Sequence, residues 1–246
     1  MSYKLPPTPH AQLSNSIAQV IPAGQSAQAY PVLFDTNDEV RGIDHDIAGV
    51  AVTITNATPG VFTYTATAAF PTLVNGDCVK FTTDGGLPTG LTVGTAYYIV
   101  NAGTDGAGKF RVATAPGGAD VATSSAGSGT HTVKCNHRIY IPATGDYLIN
   151  LSLIVNSTAT DNIYVWARMA GSDIARSNTL VGIAKANTTA LIAVPLILMV
   201  ATQNTKFEWY WGASADNCTL PVFAAAASPT RPATPSAILT INKTSK

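Results

Sequence analysis

The sequence predicts an all-β protein. Apolar residues recur with a period of two, helical periodicity is almost absent, and short runs rich in Val, Ile, Thr, Tyr and Trp are separated by Gly, Asn, Asp and Pro. In DYLINLSLIVN, Tyr147, Ile149, Leu151, Leu153 and Val155 share one face, while Asn150 and Ser152 share the other. NIYVWARMAG sets Ile163, Val165, Ala167 and Met169 against Tyr164, Trp166 and Arg168. KFEWYWGAS groups Phe207, Trp209 and Trp211 opposite Lys206, Glu208 and Tyr210, and SAILTINK ends the chain with Ala237, Leu239 and Ile241 on one side. ALIAVPLILMV is apolar on both faces, as suits a strand covered by sheet on one side and by another protein surface on the other. Pro195 within it points to an edge or bulged strand.

With 246 residues and 46% apolar content, the chain can fill one large β-domain or two smaller ones. Its composition changes between about Gly49 and Val133, where Gly and Thr are more frequent. This stretch has its own strand-turn rhythm: VFTYTATA, DCVKFTT, TAYYIVN, KFRVATA, then THTVKC. We therefore expect a small β-domain at 48–134, inserted into a main domain formed by 18–47 and 135–246. Residues 1–17, with Pro6, Pro7 and Pro9, read as an extended arm that orders on contact with a partner.

Only 11% of the residues are charged, against roughly 25% in ordinary soluble domains, and the formal net charge is zero. So little charge suggests a surface partly covered by other copies of the chain. Lys and Arg are few and scattered, which argues against nucleic acid as a partner. The longest apolar run, ALIAVPLILMVA, has 12 residues and includes Pro195; a membrane-spanning helix needs about 20. MSYKLPPTPHAQ lacks the basic-then-apolar pattern of a secretion signal, so synthesis in a cytoplasm is expected. Cys78, Cys135 and Cys218 make an odd count without CxxC spacing, which implies neither a zinc site nor a disulfide framework. They read as half-buried strand cysteines, with a Cys78–Cys135 pair left open.

GTDGAGK, Gly103 to Lys109, has the spacing of a phosphate-cradling loop. Such a loop opens a helix and places Ser or Thr after its lysine. Here Phe110 follows and the flanking runs are strands, so the segment reads as a hairpin turn. His10, His45, His131 and His137 are scattered without metal-binding spacing, and GASAD at Gly212 falls short of a hydrolase elbow. Asp35, Asp38, Glu39, Asp44 and Asp46 fail as a calcium loop because Val40 stands where the turn glycine is required. No catalytic residue, metal site or cofactor is expected.

Two resemblances add to this reading. Beyond YPVLFDTNDEVRGIDHD, the run Arg138, Ile141, Pro142, Gly145, Tyr147 is followed by Val165, Gly171, Ile174, Ser177, then by KFEWYWGASADN and PSAILTINK. That order resembles the tumour-necrosis-factor-like jelly roll, shared with complement globular heads, over about Ala18–Asp46 and His137–Lys246. The resemblance implies a trimer about a three-fold axis. The inserted segment resembles small β-modules of bacteriophage tail and virion proteins. The pattern runs through GDCVKFTTDGGLPTGLTVGTAYYIVN, then Phe110, Gly117, Gly118, and GTHTV from Gly129.

Together these imply a non-enzymatic, homotrimeric phage protein that decorates or cements a capsid at the virion surface, with the major capsid protein and its own copies as partners. On this reading Tyr147, Ile149, Leu151, Leu196 and Leu198 are assigned to the trimer interface, and Tyr3, Leu5, Pro6 and Pro7 to a capsid-anchoring arm. The alternative is a receptor-binding fibre or spike tip on which Tyr164, Trp166 and Tyr210 stack on a host glycan.

Overall fold

The computed structural model describes residues 8–26, 28–45, 48–67, 70 and 72–244. It divides into two compact units, one formed by Met1–His45 with His137–Lys246 and the other by Asp46–Asn136. Strands of three or more residues are numbered along the chain. The first unit begins with β1 (His10–Asn15) and β2 (Thr36–Arg41). The second comprises β3 (Val50–Ile54), β4 (Phe62–Tyr64), β5 (Cys78–Thr83), β6 (Tyr97–Val100), β7 (Lys109–Ala113) and β8 (His131–Lys134). The first then resumes with β9 (Ile139–Ile141), β10 (Gly145–Ser157), β11 (Asp161–Met169) and β12 (Thr179–Ile183). It ends with β13 (Thr188–Val200), β14 (Thr205–Ala213) and β15 (Ala237–Lys243).

In the first unit, β1 pairs with β15, β15 with β10 and β10 with β13, all antiparallel. The second sheet runs β9, β14, β11, β12. Counting these eight strands in chain order gives 1-8-3-6 and 2-7-4-5, the order of a jelly-roll sandwich. The period-two pattern explains the core. Tyr147, Ile149, Leu151, Leu153 and Val155 of β10 are buried, as are Ile163, Val165 and Ala167 of β11. Phe207, Trp209 and Trp211 of β14 and Ala237, Leu239 and Ile241 of β15 are buried too. β13 pairs along its whole length with β10, Pro195 lying opposite Asn150. Among the described residues no strand pairs with its other edge, so the missing proline N–H interrupts no ladder there.

The second unit is a closed antiparallel barrel in the order β7-β4-β3-β8-β5-β6. Phe62, Phe81, Phe110, Ile99, Val112 and Val133 fill it. GTDGAGK joins β6 to β7, whose register pairs Arg111 with Val100. Gly103 N–H donates to the Lys109 carbonyl at 2.8 Å. Arg111 is clamped by both oxygens of Asp105 at 2.8 and 2.9 Å and by Asp120 at 2.9 Å. A tight hairpin braced by an ion-pair cluster leaves no helix N-terminus for a phosphate. The motif glycines serve close approach: a Cβ on Gly90, at φ 95°, would stand 2.2 Å from the Ala122 carbonyl oxygen.

In the first unit, Asp216 accepts three successive backbone N–H groups, from Gly24 at 2.6 Å, Gln25 at 3.1 Å and Ser26 at 3.0 Å. The Gly24 hydrogen bond is the main reason its carboxyl sits below the ordinary value of 3.8. A depressed folded pKa makes this stabilisation complete above about pH 4 and lost as pH falls through the lowered value. Asp216→Asn is therefore expected to lower the amide protection factors of residues 24–26 at neutral pH, as acid does in the unmodified protein, each taken against the intrinsic exchange rate at that pH. Hydrogen-exchange mass spectrometry reads both effects.

Candidate functional site

Two outward faces of the first unit carry chemistry beyond packing. On the second sheet, alternation leaves Tyr164, Trp166 and Arg168 of β11 outside. Across to β14, Tyr164 faces Gly212, Trp166 faces Tyr210 and Arg168 faces Glu208. Because Gly212 has no side chain, the Trp166 indole lies over its backbone; an added Cβ would stand 3.8 Å from Cζ3. The indole stacks against the Tyr210 ring at 5.9 Å with 28° between the planes. Its Nε1–H donates to Asp173 Oδ1 at 3.0 Å, and Arg168 Nε–H donates to the same oxygen. The Arg168 hydrogen bond holds the Asp173 carboxyl below the ordinary carboxylate range; burial opposes it and the Trp166 bond adds to it. The platform is thus clipped flat by an ionised carboxylate.

The loop after β11 is firmly tied. Ala170 and Gly171, at φ 51° and 83°, turn the chain, and Arg168 and Met169 pair with Asp173 and Ser172. Ile174 N–H donates to the Ala167 carbonyl at 2.9 Å. Ala167 N–H donates to Ser177 Oγ at 3.0 Å, while the Ser177 hydroxyl donates to the Ile174 carbonyl at 2.8 Å. Gly171, Ile174 and Ser177 of the sequence motif are therefore the joints of this turn. Between it and the sheet lies an open groove of about 330 Å³, lined by Tyr164, Trp166, Asp173, Ile174, Arg176 and Asn178.

Tyr164 and Trp166, expected at a glycan-stacking face, thus share one groove. Tyr210 does not join them. It is 5% exposed, enclosed by the indole and by the Arg168 guanidinium 4.0 Å from its ring centroid, so it supports the platform from beneath.

The second face lies on the first sheet, along β10 and β13. Tyr147, Ile149, Leu151 and Leu198 were expected from the sequence to meet sister copies. All four are buried in the chain's own sandwich, and Leu196 is half-buried on the same side. Outside, Leu191 is 68% exposed, Ile197 78% and Met199 68%, with Ala193 and Pro195 between them. Register places Ile154 beside Leu191 and Leu148 beside Ile197, which makes the strip continuous. The exposed apolar residues are thus the opposite set from those assigned to the interface.

Tyr3, Leu5, Pro6 and Pro7 of the arm lie outside the described residues. The four histidines are spent in separate places. His10 contacts Glu39, His45 contacts Asn37 and His131 contacts Thr83 and the Ala126 carbonyl. His137 faces Glu208 at 3.3 Å with both groups buried. Cys78, Cys135 and Cys218 are fully buried rather than half-buried; Cys135 donates to the Cys78 carbonyl at 3.4 Å. Burial, with the nearby Asp161 charge adding, pushes the Cys218 thiol up to about 12.

No protein-family model and no curated protein matches the chain. Among solved structures it is similar to the T13 viral particle of infectious bursal disease virus, with 9% identity over 96% of this chain and 69% of that one, at a TM-score of 0.30. It is also similar to the Gx strain of that virus, with 8% identity over 99% of this chain and 69% of that one, at 0.26. PRD1 vertex protein P5 shares 13% identity over 70% of this chain and 98% of its own, at 0.23. These neighbours are proteins of virus particles, but at such TM-scores the likeness carries no argument about this chain.

Proposed function

We propose that this chain is a non-enzymatic virion structural protein, a homotrimer that decorates or cements a phage capsid. The observation that carries the reading is the apolar strip on the outer face of β13, with Leu191, Ile197 and Met199 each more than two-thirds exposed. Contiguous apolar surface on a soluble protein marks an interaction site, and a chain with 11% charged residues has little else to keep such a strip apart from its copies. Closed cyclic symmetry buries an identical strip on every copy without leaving one open to further growth. The jelly-roll strand order and the phage-type pattern in the barrel support placement at three-fold positions of a shell.

The test is the mass of the assembly. The unmodified protein is expected at three times its chain mass of 25.4 kDa in native mass spectrometry. Ile197→Asp, which puts a charge where an apolar contact forms, is expected to give single chains, since a buried unpaired charge costs several kcal/mol. A single-chain mass for the unmodified protein, or an unchanged trimer in the variant, would overturn this assignment. Co-purification with phage shells separates the decorating role from self-association alone.

A further inference from the structure

The groove beside Trp166 has a second property: much of its polar rim has no intrachain partner among the described residues. Asp173 uses only Oδ1, for Trp166 and Arg168. Among the described residues no partner is found for Asp173 Oδ2, the Arg176 guanidinium, the Asn178 amide or the Tyr164 hydroxyl. An acceptor, a cationic donor and an amide that does both therefore stand around one flat, half-buried indole. Arg176 sits at φ 66°, a left-handed conformation that L side chains adopt rarely.

The kind of ligand follows from that mixture. A nucleobase would cover the indole but carries its polar atoms in the ring plane, with no rim of hydroxyls to serve all three groups. A purely apolar ligand would strand the polar rim. A sugar ring presents a face of C–H bonds that lies on an aromatic plane, and a rim of hydroxyls that both donate and accept. The groove volume, about 330 Å³, is at the small end of the roughly 300–1,000 Å³ usual for small-molecule sites.

We propose that this groove binds a saccharide, with one ring on the outward face of Trp166 and its hydroxyls shared among Asp173 Oδ2, Arg176 and Asn178. Asp173 is already paired with Arg168, so Arg176 supplies the unbalanced positive charge and favours a sugar that carries a carboxylate. The site lies on the opposite sheet from the β13 strip and does not depend on self-association.

The test uses the full chain labelled with nitrogen-15, in which the indole N–H of Trp166 reports separately from those of Trp209 and Trp211. Two panels are titrated to millimolar concentration: neutral N-acetylglucosamine oligomers and uronate-containing oligogalacturonates. At least one member is expected to shift the Trp166 signal saturably, the acidic panel more tightly. Trp166→Ala is expected to abolish binding. Because that change also removes packing, Arg176→Ala and Asn178→Ala serve as the decisive variants, since among the described residues neither side chain makes a hydrogen bond or ion pair. Each should weaken the apparent Kd by about tenfold or more while the Trp209 and Trp211 signals stay in place, Arg176→Ala acting mainly on the acidic panel. Silence across both panels, or affinities unchanged in both rim variants, would overturn the proposal, whatever the assembly mass proves to be.

Discussion

Replacing Phe62 with alanine is expected to remove about 3–5 kcal/mol from the stability of the barrel, the range for losing a buried phenylalanine. Phe62 is the middle ring of a three-ring stack, 5.1 Å from Phe81 and 5.2 Å from Phe110, with planes within 29° and 17°. Those rings come from β5 and β7, so one side chain on β4 ties together strands from across the barrel. The strand that carries it has three residues, too few to compensate by backbone pairing. Small domains stand only about 5–15 kcal/mol above unfolding, so the loss is a large share of the margin. Phe62→Leu separates volume from stacking: it keeps most of the fill and is expected to lose about 1–1.5 kcal/mol. Denaturant titration with hydrogen exchange at β4, β5 and β7 measures both, and an alanine loss below about 1 kcal/mol would contradict the central role given to the stack.

That stack also shows how far a sequence can be read. The alternation in β10 was legible because Asn150 and Ser152 mark the face turned away from the core. β13 offers no such mark: Leu196 and Leu198 alternate with Ile197 and Met199, and both sets are equally apolar. Only the register with β10, which puts Leu198 beside buried Tyr147, decides which set turns inward. Composition therefore leaves parity undetermined, and four of the five residues assigned to an interface are buried in the chain's own sandwich. Tyr210 was misread for a related reason. It alternates outward as the sequence indicates, yet Trp166 and Arg168 fold over it, an event between strands that no single strand's pattern reports. The groove rim escaped notice because Asp173, Arg176 and Asn178 lie in a turn, where residue type says little about direction. GTDGAGK was readable because strands flank it on both sides.

Asp161→Ala is expected to cost on the order of 2–4 kcal/mol, since a buried donor left without a partner costs about 1–3 and a part-buried one less. Asp161 is 3% exposed at the start of β11, where the chain has just left β10 and crosses to the other sheet. Its Oδ2 accepts the Ser157 hydroxyl at 3.0 Å. Its Oδ1 accepts the Ser214 N–H and hydroxyl, both at 2.8 Å, and the Ala215 N–H at 2.9 Å. One carboxylate thus fastens the end of β10 to the residues that follow β14. Alanine leaves the buried Ser157 hydroxyl without its acceptor and the half-buried Ala215 N–H with only solvent, while the Ser214 N–H keeps the Asn162 carbonyl at 3.0 Å. Asparagine keeps an oxygen in place of Oδ1, while its amide N–H can donate to Ser157 Oγ once that hydroxyl turns away. Its expected loss is about 1 kcal/mol, that of a rearranged hydrogen bond. If the side chain merely fills space, alanine and asparagine should differ little in urea midpoint. If it acts as a four-donor acceptor, asparagine should hold most of the stability that alanine loses, and the Ala215 amide should exchange fast only in the alanine variant.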